Sequence, residues 1–183
     1  MSEQAPGGAP DWTVHVVGAE EFAQSVPVTA AIYGEAMQRP PELVVQRREI
    51  MSSHVVRPGF VGVLAHDDED LVGFGYGYRG RPGDWWHDVV AAALGRRMAR
   101  EWLTESFELA ELHVRPAYHG RGLGRRVLET VLSAAGGMTI VLSTHDRESP
   151  ARHLYRSVGF VDLLTGFVFP GSSEVYVVMG KRL

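Results

Sequence analysis

Alternating hydrophobic and polar positions recur along the chain and predict a series of short β-strands. The seven predicted strands cover residues 12–17, 60–65, 71–78, 107–114, 139–143, 160–169 and 175–181. The second and third strands flank the polar turn at residues 66–70, which is typical of a β-hairpin. In the third strand, glycines at 73, 75 and 77 alternate with aromatic residues, so one face is open to a packed helix or, less favoured, to a ligand.

Apolar residues spaced three or four positions apart predict helices between these strands. The first helical region, residues 20–55, is expected to form two or three short helices, because Pro27 and the pair Pro40–Pro41 interrupt it. Further helices are predicted over residues 86–103, from Leu123 onward, and from Pro150 to Gly159. Interleaved strands and helices favour an α/β (α+β) class with a mixed sheet covered by helices on both faces. We expect one domain at residues 11–183 after a disordered leader at residues 1–10.

Charge and composition exclude several classes of protein. The 183 residues carry 18 Lys and Arg against 22 Asp and Glu, a net charge of −4, which argues against broad binding of nucleic acid. The absence of cysteine excludes a disulfide framework, a thiolate metal site and a cysteine nucleophile. No apolar run approaches the length of a membrane span, and the first residues do not form a secretory signal. A cytoplasmic location with no membrane or nucleic-acid partner is therefore expected.

The most informative segment is the glycine-rich turn His-Gly-Arg-Gly-Leu-Gly at residues 119–124, which joins a strand to a helix. Free N–H groups at the start of that helix form a site for an anion, and Arg121, Arg125 and Arg126 add positive charge. A plain connection is the alternative for a turn of this kind. A P-loop is excluded because no Lys and Ser/Thr follow the last glycine, and the spacing is not that of a dinucleotide-binding fingerprint.

A second motif, Ala-Arg-His-Leu-Tyr-Arg-Ser-Val-Gly-Phe at residues 151–160, follows the turn after one strand. The two motifs together resemble those of the GNAT superfamily of acyl-CoA-dependent N-acyltransferases, and the resemblance is close over residues 107–163. It implies a mostly antiparallel GNAT-type sheet of six to seven strands and acetyl-CoA as co-substrate, with no metal. The family's Gln or Arg is replaced here by His119.

The resemblance also implies which residues hold the cofactor. Pantetheine is expected on the backbone of the strand ending at Val114, and the pyrophosphate on the glycine-rich turn. The implied cofactor-binding residues are Leu112, His113, Val114, His119, Gly120, Arg121, Gly122, Leu123, Gly124 and Arg125.

Tyr155 occupies the family's position for the general acid that protonates the departing thiolate, although an aromatic core residue is the alternative. Glu108 is the preferred base. Glu111 is the second candidate, because strict alternation places it on the opposite face unless a bulge shifts the strand. The alternative to a base, for either residue, is a strand carboxylate exposed to solvent. His113 and His145 are secondary candidates for the base.

The resemblance places the acceptor between the first helices and the connection into the cofactor-binding strand, which the helix at 86–103 lengthens. The candidate lining residues are Tyr33, Glu35, Met37, Trp85, Trp86 and His87. Tryptophan faces bind cations, so Trp85 and Trp86 with Tyr33 are the preferred substrate contacts. Alternatively, both tryptophans fasten the added helix to the sheet.

These observations together predict transfer of an acetyl group from acetyl-CoA to the primary amine of a small molecule. Two alternatives stay open: a non-catalytic acyl-CoA sensor, and an enzyme that acetylates a protein N-terminus or lysine. A homodimer is expected by analogy with the family only.

Overall fold

Seven hydrogen-bonded strands form one continuous sheet in the computed structural model, which describes residues 12–183. The disordered leader expected at residues 1–10 lies outside the described residues. The strands are β1 Thr13–Val17, β2 Val61–Asp67, β3 Asp70–Arg79, β4 Ser106–Val114, β5 Thr139–His145, β6 Val161–Phe167 and β7 Tyr176–Arg182. Their order across the sheet is β1-β2-β3-β4-β5-β7-β6, and every neighbouring pair is antiparallel except β4 and β5. The predicted mixed, mostly antiparallel sheet is confirmed.

Five α-helices connect the strands within the described residues. They are α1 Ala19–Met37, α2 Pro41–Val55, α3 Trp85–Leu103, α4 Leu123–Ala134 and α5 Pro150–Ser157. None of these helices is both long and apolar enough to cross a membrane.

Two details of the helices differ from the prediction. Pro27 lies inside α1 and does not interrupt it. Proline removes one backbone hydrogen bond, but Phe22, Val26 and Ala30 of the same helix are buried, and this burial holds the helix together. The long helix α3 contains a break at Gly95, whose φ of 76° is outside the helical region.

The helices cover both faces of the sheet. Helices α4 and α5 pack on one face, where Val127, Leu128 and Tyr155 join the cluster of Ile140 and Leu142. Helices α1 and α2 cover the opposite face of β2 to β4, and α3 covers that face of β5 to β7. We call the first the α4 face and the second the α1 face.

Gly75 of β3 admits a helix, as the favoured interpretation of the sequence predicted, whereas Gly73 and Gly77 lie against β4. A Cβ placed on Gly75 would lie 3.1 Å from Val127 and 3.2 Å from Val131 of α4. Close approach of α4 to the sheet therefore depends on the absent side chain, and this prediction is confirmed.

A gap opens in the sheet where β4 and β5 separate. The two strands pair only from Ser106 to Glu108 and from Thr139 to Val141. Beyond those residues β4 runs on to Val114 and β5 to His145 without pairing to each other. The free backbone edge of β4 along this gap can pair with an extended ligand.

A β-bulge in β4 sets the direction of its two carboxylates. Tyr76 pairs with Glu111 and the next residue of β3, Gly77, pairs with Leu109, so Ala110 is the extra residue. The extra residue places the Glu111 side chain on the same face of the sheet as the Glu108 side chain. Both carboxylates therefore lie on the α1 face, which corrects the expectation from strict alternation that Glu111 lies opposite.

Candidate functional site

The glycine-rich turn at residues 119–124 has the backbone that its sequence predicts. Gly120 and Gly122 have φ values of 71° and 92°, a region that other residues enter only with strain. A Cβ at either glycine would meet nothing within 4 Å, so conformation rather than space requires glycine there.

The start of α4 presents unpaired N–H groups next to this turn. The first backbone bond inward runs from Arg126 N–H to the Gly122 carbonyl at 3.1 Å, and no side chain caps the helix. Within residues 12–183, the N–H groups from Gly120 to Arg125 have no backbone acceptor. The first turn of α4 also carries no acidic residue. These donors and the helix dipole together fit a diphosphate.

The side chains of the turn hold its shape. The His119 ring donates from Nε2 to the Val114 carbonyl at 2.9 Å, which ties the turn to the end of β4. The Arg121 guanidinium lies 5.2 Å from the ring centres of both Trp12 and Tyr118. Arg125 donates to Ser157 Oγ at 2.8 Å and so links α4 to α5. These three side chains thus contact other parts of the protein.

The predicted pantetheine strand lies at the edge of the gap. Arg115 N–H donates to the Val72 carbonyl on β3 at 2.8 Å. Because the carbonyl of the same peptide bond points the opposite way, the Val114 oxygen faces the gap, where it accepts the hydrogen bond from His119. Leu112, His113 and Val114 thus lie on the part of β4 that β5 leaves unpaired.

Tyr155 lies on α5 beside the gap, on the α4 face. The side chain is buried, and its ring packs against Phe160 with centroids 5.6 Å apart. None of the hydrogen bonds formed within residues 12–183 uses its hydroxyl group. Burial, together with the negative charge of Glu111, raises the pKa of Tyr155 well above its usual value of 10. The phenol therefore stays protonated at neutral pH, as a proton donor requires.

Glu108 is enclosed on the α1 face of β4. Tyr78 donates its hydroxyl to Glu108 Oε1 at 2.9 Å, while Oε2 has no partner among the described residues. The residue is 5% exposed. Burial raises the pKa of Glu108 to about 7, although the hydrogen bond from Tyr78 opposes the shift.

Glu111 is engaged by cationic partners. Arg47 of α2 donates to its Oε1 at 2.9 Å, and His113 Nε2 lies 2.6 Å from its Oε2. Burial alone would raise the pKa of Glu111, but the hydrogen bond and charge of His113 and the charge of Arg47 lower it below its usual value. Tyr33 belongs to the same group, because its ring lies 4.8 Å from the Arg47 guanidinium and 5.3 Å from the His113 ring.

The residues predicted to line the acceptor site do not come together in one place. Trp86 donates from its indole to Ser143 Oγ of β5 at 3.1 Å, and the exposed Trp85 packs on Phe169 near β7. Tyr33 lies with Glu111, as described above. Glu35 forms an ion pair with Arg115.

A cleft that the sequence did not reveal lies between the α1–α2 connection and the ends of β5 and β7. We call it the loop cleft. Its volume is about 600 Å³, and of the predicted lining residues it includes Met37 alone. It is lined by residues 36–39, 145–147 and 174–175.

Comparison with known proteins identifies the family. The family model for an acetyltransferase (GNAT) domain matches residues 54–162, more than half of the chain. The chain belongs to the GNAT acetyltransferase family. This assignment confirms the predicted class of enzyme and places both motifs within the matched domain.

Relatives of the GNAT domain include proteins named for acetylation of other proteins. A GCN5-like protein acetyltransferase from Mycobacterium tuberculosis is 29% identical over 83% of this chain and 88% of its own length. The N-alpha-acetyltransferase RimI of the same organism is 44% identical over 30% of this chain and 34% of its own length.

Solved structures share the GNAT fold at low sequence identity. The ribosomal-protein-S18-alanine N-acetyltransferase of Escherichia coli covers 93% of both chains with a TM-score of 0.66 and 16% identity. The protein yncA of Salmonella typhimurium, solved with its cofactor acetyl-CoA, covers 93% of both chains with a TM-score of 0.64 and 16% identity.

Sequence analysis found the residues that lie in the GNAT motifs and missed those of the loop cleft that lie outside them. The turn and Tyr155 lie in continuous segments with characteristic spacing. Arg39 and Glu174 of the loop cleft come from connections that carry no motif, and only folding brings them near each other, with 3.8 Å between Arg39 Nη2 and Glu174 Oε1. His145, a secondary candidate for the base in the sequence analysis, lies two residues beyond the predicted strand 139–143 and ends β5 in the structure.

Proposed function

We propose that this GNAT enzyme transfers an acetyl group from acetyl-CoA to a primary amine while both substrates are bound. The row of free N–H groups at the turn, leading to the gap between β4 and β5, is the observation that carries the proposal. A chain without cysteine has no thiol to form a thioacyl-enzyme, which favours direct attack by the amine. The acetyl-CoA bound to a structural relative supports the same donor.

Each part of the donor would meet a different part of the chain. The backbone from Gly120 to Arg125 would hold the diphosphate, and the free edge of β4 at Leu112–Val114 would pair with pantetheine amides. Acetyl-CoA supplies an activated acetyl group as a thioester. Tyr155 then gives its proton to the departing sulfur, and the two bound substrates gain from proximity.

The acceptor is proposed to be a small-molecule primary amine, as predicted from the sequence. An amine of a protein or peptide is the second candidate, favoured by the names of the two mycobacterial relatives. The loop cleft, at about 600 Å³, has the volume of a small-molecule site and could equally take the first residues of a peptide.

Calorimetric titration with acetyl-CoA and a thiol-release assay test the proposal together. We expect saturable binding of acetyl-CoA, and CoA release that depends on an added amine. Small amines, polyamines, amino acids and aminoglycosides form one acceptor set, and peptides with free N-termini or lysines form the other.

The two acceptor sets separate the candidates. Activity confined to peptides would overturn the small-molecule acceptor. Binding without CoA release in either set, unchanged by Tyr155→Phe, would favour the sensor, and no binding at millimolar acetyl-CoA would remove the proposal.

A further inference from the structure

His145 ends β5 on the α1 face of the gap. Along β5, Val141 packs in the core beneath α3 and Ser143 accepts the Trp86 hydrogen bond, so His145 continues the same face. Tyr155 lies on the other face with Ile140 and Leu142. An amine entering from the loop cleft would therefore pass His145 before it reaches a thioester in the gap.

A carboxylate and an aromatic ring hold the His145 imidazole in one orientation. Its Nδ1 lies 2.7 Å from Glu174 Oε2, and its ring stacks on Tyr176 with centroids 5.1 Å apart and 22° between the planes. None of the hydrogen bonds within residues 12–183 uses Nε2. A carboxylate beside Nδ1 favours the neutral tautomer that carries its proton on that atom, and this tautomer leaves Nε2 as a proton acceptor.

The two glutamates of β4 are less suited to accept the amine proton. Glu108 is 5% exposed behind Tyr78 and does not line the loop cleft, whereas the His145 side chain is 21% exposed and does. Glu111 is already bound by Arg47 and His113. An imidazole also changes charge close to neutral pH, which suits a general base.

We propose that His145, oriented by Glu174, is the base that takes a proton from the acceptor ammonium. The proposal rests on the proposed function and adds the route of the proton. The ammonium gives one proton to Nε2, which passes it to solvent, and the free amine forms the C–N bond as the C–S bond breaks. The sulfur takes the Tyr155 proton, and the second proton lost from nitrogen restores Tyr155.

Several charged groups surround the His145 ring. Arg39 approaches Glu174 from the α1–α2 connection at 3.8 Å. Asp146 follows His145 but is held by Arg152 at 2.6 Å, and Arg147 lines the loop cleft. Glu174 is the one of these groups in direct contact with the ring.

The test measures kcat/KM against pH for three variants with one amine that the wild type accepts. His145→Gln should lower kcat/KM about 100-fold at pH 7, and the deficit should shrink as the pH approaches the pKa of the amine, where the free amine needs no base. Glu174→Gln should lower kcat/KM about tenfold, because the imidazole loses the carboxylate that orients it.

His153→Gln is the matched control, because His153 also pairs with a glutamate, Glu148, but is exposed on α5 outside the loop cleft. Its profile should equal that of the wild type. Nitrogen NMR of the free protein gives a second readout: the His145 proton should be on Nδ1 in the wild type, and this preference should weaken in Glu174→Gln.

Two results would overturn the proposal. If wild type releases CoA with an amine and His145→Gln retains kcat/KM within about twofold, or loses it equally at every pH, the base is elsewhere and the proposed function stands. If wild type releases no CoA with any amine, the proposed function fails, and the role of His145 fails with it.

Discussion

The glycine-rich turn and the loop cleft are built in opposite ways. The turn is one continuous segment whose free donors are backbone N–H groups held by two glycines with positive φ. The loop cleft combines three segments that lie far apart in the chain, and its functional groups are side chains.

This difference explains what each region can vary. Every amino acid except proline supplies a backbone N–H group, so the anion site proposed at the turn depends mainly on the φ angles of its glycines. A cleft lined by side chains from loops changes with every substitution, so one donor site can serve many acceptors. We therefore expect the two substrates to react in the gap between β4 and β5, which lies between these two regions.

Tyr155 lies beside this gap, and its replacement should have the largest effect on the reaction. Tyr155→Phe keeps the buried ring but removes the proton for the departing sulfur. We expect kcat to fall about 1000-fold, because a general acid contributes about 10² to 10⁴ to the rate. The dissociation constant of acetyl-CoA, measured by calorimetry, should be unchanged, since the turn does not involve this hydroxyl group.

The control for this variant is Phe160→Leu, which alters the neighbouring ring and leaves the hydroxyl group. Its kcat should stay close to that of the wild type. Equal losses of kcat in both variants would show that Tyr155 acts only as a packed core residue.

Sequence patterns predicted most of the fold because local periodicity survives in the strands and helices. The sheet, α4 and the turn all follow from residue spacing. The direction of Glu111 did not follow, because a bulge at Ala110 depends on the pairing of β4 with β3. Pro27 was misjudged because burial of one helix face outweighed a local preference. The loop cleft was missed because Arg39 and Glu174 meet only through tertiary structure.

Replacement of Glu108 should have the second largest effect, which is on stability. The α1 face buries this ionisable side chain, whereas the turn uses neutral backbone groups. Its pKa of about 7 lies above the ordinary 4.5, so the folded protein binds more protons than the unfolded chain between these values. Stability is therefore highest below pH 4.5 with respect to this group and falls as the pH rises toward 7.

Glu108→Gln removes this titration. From pH 5 to pH 8, the free energy of unfolding of the wild type should fall relative to the variant by roughly 2 to 3 kcal/mol. Urea unfolding at the two pH values measures the difference. A pH dependence identical in both proteins would show that Glu108 titrates like an exposed glutamate.

Replacement of Gly122 should have an intermediate effect, confined to the binding of acetyl-CoA. Gly122→Ala places a side chain at φ 92° with nothing to clash with, so it costs about 1–2 kcal/mol of conformational strain. If the turn relaxes to relieve the strain, its N–H groups move, and the dissociation constant of acetyl-CoA should rise about tenfold. The KM of the acceptor should not change.

Gly124→Ala is the matched control in the same turn. Gly124 lies within α4, and a Cβ there would make an ordinary 3.9 Å contact with Leu154. Affinity for acetyl-CoA should stay within about twofold, because alanine suits a helix. Equal losses in both variants would contradict the conformational argument.

Replacement of Arg39 should have the smallest effect, confined to the KM of the acceptor. The Arg39 guanidinium and the Glu174 carboxylate are partly exposed and 3.8 Å apart, and such pairs contribute about 0.2 to 1 kcal/mol. Arg39→Gln should therefore raise the acceptor KM by about two- to fivefold and leave the dissociation constant of acetyl-CoA unchanged, as steady-state kinetics and calorimetry would measure. A change in acetyl-CoA affinity without a change in acceptor KM would show that the two regions do not divide the substrates as we propose, because Arg39 lies on the loop cleft and apart from the turn.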